Sequence, residues 1–358
     1  MLSLAWHPHQ DGLLLLGTAD SRIRLWSTVQ RKFHLDFDVA TGSTHSGSGG
    51  SAVSSSKSDR DRDGRDKDRE QKAQAQAQAQ ARMDAASLGF AECPRVLDAT
   101  FSPNQHDSLL ITAAASRYHD TLEGGKGVLS SWALQPAGVK RLRVFPIEAS
   151  RTQVNSVVFN HNGNMLVTAG ADGFVRVFDM GSSSPIMGWP AHDGQVSCVR
   201  FSSDETSVVS VGVDGWIMEW SLHRIGKRMR CFKVPDTDPS VKTRFPVTRH
   251  ELAVDPHGPH WLSSSPLTAR SAYLYHTGPA EGAAAGVNSS ASNAGASTLG
   301  SVAAGAVMPS VPSAVLQPQP LPGHSSAVLS VDWHGSAAAC VTGSLDHLVC
   351  ATRFVKTS

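Results

Sequence analysis

The chain has 358 residues, 40% of them hydrophobic, with 32 Lys and Arg against 31 Asp and Glu. That is enough apolar material for a substantial core, whereas a formal charge of +1 provides no global field for a polyanion, so no nucleic-acid partner is expected. Five cysteines, Cys93, Cys198, Cys231, Cys340 and Cys350, show neither metal-type pairing nor a disulfide framework, which suits a reducing compartment, and no apolar run is long enough to span a membrane.

Along the chain, one supersecondary unit recurs. The first copy, LSLAWHPHQDGLLLLGTADSRIRLWS, brackets Asp20 between Trp6 and Trp26. Residues 41–94 then break the pattern as a disordered insert of biased composition. Within it, DRDRDGRDKDRE matches the calcium loop of an EF-hand, with Asp59, Asp61, Asp63, Gly64 and Glu70 at the ligand and turn positions. The lead-in GSGGSAVSSSKS cannot form the required helix, Asp66 stands where an apolar residue is usual, and interleaved Arg and Lys cancel the field. We read it as a solvated polyampholyte, with no metal site.

The second copy, RVLDATFSPNQHDSLLITAAAS followed by GVLSSWAL, has its second hairpin lengthened by RYHDTLEGGKG. The third and fourth, VNSVVFNHNGNMLVTAGADGFVRVFDM and VSCVRFSSDETSVVSVGVDGWIMEWSL, share an alternating strand ending in an aromatic, a second apolar strand, an Asp-Gly turn and a third strand ending in Phe178 or Trp220. A fifth, HELAVDPHGPHWLSSSPLTARSAYLYH, has lost the turn Asp. A second insert, residues 278–312, is Ala, Gly and Ser with scattered Pro. The sixth copy is AVLSVDWHGSAAACVTGSLDHLVCATRF.

Three strands per copy, plus an outer apolar strand such as RLRVFPI or MRCFKVP, make small antiparallel sheets that bury their faces only by stacking radially. The expected fold is an all-β WD-repeat β-propeller over residues 1–358, with six recognisable blades of an expected seven. Insert 41–94 belongs on the face carrying the His and Asp turns, and insert 278–312 on the opposite face.

Polar residues recur at fixed places. His192, Ser210, Asp214 and Trp220 have the spacing of a WD-repeat tetrad, and His324, Thr342 and Asp346 repeat it with Thr352 in place of Trp. A Ser/His/Asp set also invites a hydrolase reading. Because the set recurs, we assign it to fixing the hairpins of each blade, with no catalytic residue and no cofactor. The third copy has Thr168 and Asp172 but no matching His, and Leu16 takes the hydroxyl position of the first, so these blades are expected to hold by packing alone. The basic run RIGKRMRCFK reads as a charged rim that discourages edge pairing.

The stretches LLLLGTADSRIRLW, FNHNGN with DGFVRVFDM, AHDGQVSCVRFSSDETSVVSVGVDGWIMEWSLHRIG and LPGHSSAVLSVDWHGSAAACVTGSLDHL resemble the WD repeat-containing protein 91 family. The resemblance implies a seven-bladed ring preceded by a helical region, against which this chain opens inside the second blade. It further implies a non-enzymatic adaptor, an effector of a late-endosomal Rab GTPase. Such an adaptor restrains the class III phosphatidylinositol 3-kinase complex during early-to-late endosome conversion and works with a second WD-repeat protein. Localisation would be cytoplasmic, peripheral on early and late endosome membranes through partners. The alternative is a phosphoinositide-binding propeller of trafficking or autophagy, although the paired-arginine motif of such proteins is absent. For partner-binding loops, the aromatic and charged tip Arg117, Tyr118 and His119 and the exposed neighbours Asp193 and Gln195 are the candidates.

Overall fold

The computed structural model describes residues 3–40, 44, 94–104, 109–115, 127–135, 138–147, 152–235, 250–264, 271–277, 318–335 and 338–354. Apart from residues 44 and 94, both inserts, the acidic-basic loop 59–70 and the hairpin tip Arg117, Tyr118 and His119 lie outside the described residues. Every described regular element is a β-strand.

The strands form six antiparallel sheets, each in simple chain order. The first holds β1 (Ser3–Trp6), β2 (Leu13–Gly17), β3 (Arg22–Ser27) and β4 (Lys32–Asp38); the second, β5 (Arg95–Phe101), β6 (Leu109–Ala115), β7 (Gly127–Gln135) and β8 (Gly138–Val144). The third holds β9 (Val154–Phe159), β10 (Met165–Gly170), β11 (Phe174–Asp179) and β12 (Ser184–Pro190); the fourth, β13 (Val196–Phe201), β14 (Ser207–Gly212), β15 (Trp216–Ser221) and β16 (Arg228–Lys233). The fifth holds β17 (Leu252–Val254), β18 (His260–Ser263), β19 (Ala272–His276) and β20 (Gln319–Leu321). The sixth has three strands, β21 (Val328–Trp333), β22 (Ala339–Ser344) and β23 (Val349–Arg353).

The first strands of consecutive sheets lie against one another, β1 on β5, β5 on β9, β9 on β13, β13 on β17 and β17 on β21. Second strands such as β14, SVVSVG, are buried at every position, as a strand sandwiched between two neighbours must be. Five apolar clusters fill the five junctions. That between the third and fourth sheets contains Val167, Val175, Trp189, Phe201 and Trp220, and that between the first and second contains Leu15, Ile23, Phe37, Leu110 and Trp132. On the sixth sheet Val341 and Val349 remain exposed, as do Leu4 and Trp6 on the first.

Polar links join the inner strands where apolar packing gives out. Asp98 on β5 accepts from the Ser3 hydroxyl of β1 (2.8 Å) and from the Val157 amide of β9 (2.9 Å), so one buried carboxylate ties three sheets together. Glu251, just before β17, accepts from Ser330 on β21 at 2.7 Å.

The outer strands, expected to be apolar, are largely exposed and carry many of the rim charges. Along β16 no residue is buried, and Leu142 and Val144 of β8 are exposed. Four of these strands also carry a β-bulge at the same place, beside the aromatic of the third strand. The extra residue is His34, Leu142, Ile186 and Met229 in the first to fourth sheets. A bulge twists the strand and spoils its outer edge for pairing.

The turn between second and third strands is left-handed at equivalent positions, Gly173 (φ 84°) and Gly215 (φ 78°) as the Asp-Gly sequences foretell, but also Ser21 (φ 72°) and His347 (φ 64°). Its carbonyl receives the returning chain: Val39 donates to Ser21, Ala191 to Gly173 and Val234 to Gly215, each at 2.8 Å.

Candidate functional site: the buried polar networks

In the fourth sheet the His192 ring lies between the turn and the second strand, its side chain fully buried. Nδ1 is 3.0 Å from the Asp214 carboxylate and Nε2 is 2.7 Å from Ser210 Oγ. Trp220 Nε1 donates to the same hydroxyl at 2.9 Å. One arrangement of hydrogens satisfies all four side chains: indole N–H into Ser210, its O–H into Nε2, and Nδ1–H into Asp214. The carboxylate is also held by the amides of Asp193 and Trp216, both at 3.1 Å. Burial alone would raise the pKa of Asp214, but the His192 ring and these two amides outweigh it and hold the carboxyl below the usual carboxylate value.

The sixth sheet repeats this geometry. His324 Nδ1 is 3.2 Å from Asp346, and Nε2 is 2.8 Å from Thr342 Oγ1. Burial of Asp346 is again outweighed, here by the Ser325 and Leu348 amides first and then by His324, and the carboxyl sits far below the usual range. Thr352, in the Trp position, is half-buried on β23 opposite Cys340.

These sets have the connectivity of a hydrolytic triad, yet the hydroxyl is turned inward. Ser210 is 0% exposed and Thr342 3%, so no substrate carbonyl can reach either oxygen. Among the described residues no three His, Cys, Asp or Glu side chains converge as a metal site.

The blades without His do not hold by packing alone, which corrects that expectation. In the third sheet Arg176, on the strand after the turn, grips Asp172 with both guanidinium nitrogens, at 3.1 and 2.6 Å, while Thr168 Oγ1 donates to the Arg176 carbonyl at 3.4 Å. The first sheet uses the same device: Arg24 reaches Asp20 at 3.0 Å and Asp36 at 3.2 Å, and Arg22 also reaches Asp36 at 3.0 Å. In the second sheet Trp132 Nε1 donates to Thr112 Oγ1 at 2.9 Å, a counterpart of the Trp220–Ser210 bond. That pair escapes a search on spacing because the long hairpin separates its members.

Of the candidate partner loops, Asp193 is exposed while its amide is spent on Asp214. Gln195, expected to be exposed, is half-buried, and its carbonyl accepts from the Val213 amide at 3.0 Å.

Comparison with known proteins agrees with this geometry. Residues 316–351 match the model of the WD domain, G-beta repeat, and residues 137–204 that of the anaphase-promoting complex subunit 4 WD40 domain. WD repeat-containing protein 91 of Xenopus tropicalis is 30% identical over 74% of this chain, and that of Pongo abelii 26% identical over 97%. The Dictyostelium discoideum homolog is 25% identical over 99%. The chain is related to the WD repeat-containing protein 91 family. Its described residues form an all-β WD-repeat propeller of six sheets. The matched part is 31% of the Xenopus relative and 40% of the Pongo one. The crystal structure of the Myceliophteria thermophila Cps50 (Swd1) β-propeller domain superposes with a TM-score of 0.54 at 13% identity, covering 97% of this chain and 80% of that one, a likeness of fold.

Proposed function

We propose that the protein is a non-enzymatic adaptor whose rigid wheel of sheets presents loops to protein partners. The observation that carries this reading is the closure of each recurrent polar set on partners inside its own sheet. His192 and His324 are consumed by an acid and a hydroxyl, which leaves surface loops on a fixed scaffold as the material for recognition. Similarity to WD repeat-containing protein 91 along nearly the whole chain supports the finer reading. In it the partners are a late-endosomal Rab GTPase, the class III phosphatidylinositol 3-kinase complex and a second WD-repeat protein, and the protein is cytoplasmic and peripheral on early and late endosomes.

The test is capture of recombinant late-endosomal Rab on the immobilised chain, loaded in turn with a non-hydrolysable GTP analogue and with GDP. Retention of the GTP form alone is expected. Equal retention of both forms, or of neither, removes the Rab reading, and covalent labelling of Ser210 by a serine-reactive probe would remove the non-enzymatic one.

A further inference from the structure

The bulged outer strands have an unusual chemistry. In the second and fourth sheets the extra residue is a large apolar side chain between two arginines, Arg141-Leu142-Arg143 and Arg228-Met229-Arg230; in the third it is Ile186 on a strand with no charge. Leu142 is 49% exposed, Ile186 47% and Met229 51%. Strands β8, β12 and β16 together hold six Lys or Arg and not one Asp or Glu, although the whole chain is balanced to within one charge. The corresponding strand of the first sheet, KFHLDFD, carries two acids and puts His34 at its bulge.

Of the acids beside this rim, one pairs with a rim arginine and the other is held by its own turn. Glu219 accepts from Ser207 at 2.6 Å and faces Arg230 at 3.6 Å, and Asp179 accepts from the Ser182 amide and hydroxyl. Arg143 bridges to the next sheet, donating to Ser182 O (3.3 Å) and Ser183 Oγ (3.0 Å), so the rims of the second and third sheets are joined.

Protection of a sheet edge accounts for the bulges and the cations. It does not account for three exposed aliphatic side chains at the bulge tips, which add to the hazard that an edge device should reduce. Apolar tips flanked by guanidinium groups are the combination that an interface between phosphate headgroups and acyl chains rewards, through buried apolar area and attraction to anionic lipid.

We propose that the rim of the second to fourth sheets docks on an anionic lipid bilayer. Leu142, Ile186 and Met229 enter the headgroup boundary, and the flanking arginines meet lipid phosphate. The surface acts by area and charge, without a pocket for one headgroup. It is independent of the adaptor reading, since loss of Rab capture would leave the lipid result untouched and the reverse also holds.

The test is co-sedimentation of the full chain with phosphatidylcholine vesicles with and without phosphatidylserine. Binding is expected only with the anionic lipid and should weaken as salt rises. Lys140→Gln and Lys233→Gln should each lower partitioning about fivefold, Leu142→Ser with Met229→Ser should lower it more than tenfold, and Lys32→Gln on the first sheet should leave it unchanged. Unaltered thermal melting of each variant keeps folding out of the comparison. The proposal is overturned by equal binding to neutral vesicles, by variants that bind like the parent, or by competition from soluble inositol phosphates, which would reveal a headgroup pocket. Retention on polyglutamate beads without any vesicle binding would also overturn it, in favour of an acidic polypeptide partner.

Discussion

Arg176 holds Asp172 through two guanidinium nitrogens in the third sheet, where the fourth uses the imidazole of His192 on Asp214. The acid is constant because its first task is local: Asp172 caps the amide of Phe174 at 3.2 Å, as Asp214 caps that of Trp216 at 3.1 Å. The cation or donor that pairs with it is interchangeable. A His arrives from the loop before the sheet and an Arg from the strand after the turn, and either reaches the same carboxylate.

This equivalence makes Asp172→Ala costly. The Arg176 side chain is largely buried, so removing its partner leaves a charge with lost hydrogen bonds, at a cost of about 2 to 3 kcal/mol in chemical denaturation. Arg176→Lys should not substitute, because an ammonium cannot grip a carboxylate with two parallel bonds. Full stability of the Lys variant would show the paired geometry to be idle.

For Asp214 the dependence is on pH. Its carboxyl is held below the ordinary 3.8 of the unfolded chain, so its contribution is complete above that value and is lost as pH falls through the lower folded one. Asp214→Asn should therefore be less stable than the parent by about 1.5 to 3 kcal/mol at neutral pH, and the gap should narrow only below pH 3.8. Asp346 titrates in both proteins and cancels. A gap that persists unchanged through the acid limb would rule out the carboxylate as its source.

Much of this was legible before any coordinates. Hydrophobic alternation and Asp-Gly turns give the six sheets, and one shared separation picks out His192 with Asp214 and His324 with Asp346. What escaped are the relations that no fixed separation encodes. Arg176 lies downstream of its turn, whereas the His of the other networks lies upstream. Thr112 and Trp132 are divided by a hairpin of variable length. The bulges of the outer strands leave no sequence mark at all: Leu142 and Met229 look like core residues until the register shift turns them outward.

Two turns invite stabilisation. Ser21 and His347 occupy the left-handed position that Gly173 and Gly215 fill elsewhere, and a side chain there costs about 1 to 2 kcal/mol, part of which glycine returns as chain entropy. Ser21 is moreover fully buried with its hydroxyl unpartnered. His347→Gly should stabilise by about 0.5 to 1 kcal/mol and Ser21→Gly by about 1 to 2, read as a shift of the denaturation midpoint. The carbonyl of residue 21, which accepts from Val39, is kept. Destabilisation by either change would mean that the side chain has a use beyond the turn.

The opposite substitution couples two blades. Gly173 belongs to the third sheet, but its carbonyl accepts from the amides of Ala191 and His192, at 2.8 and 3.1 Å, and so places the His that serves the fourth. A methyl group at Gly173 would lie 2.6 Å from the His192 carbonyl and 2.9 Å from that of Gly194, at a φ of +84°. Neither backbone can yield without withdrawing the imidazole from Ser210 and Asp214. Gly173→Ala should cost at least about 2 kcal/mol, whereas Gly181→Ala, whose nearest neighbour would be 3.4 Å away, should be close to neutral. The decisive measurement is the double variant with Asp214→Asn. If Gly173 acts by positioning His192, the two losses overlap and their sum exceeds the loss of the pair; strict additivity would confine the glycine to its own turn.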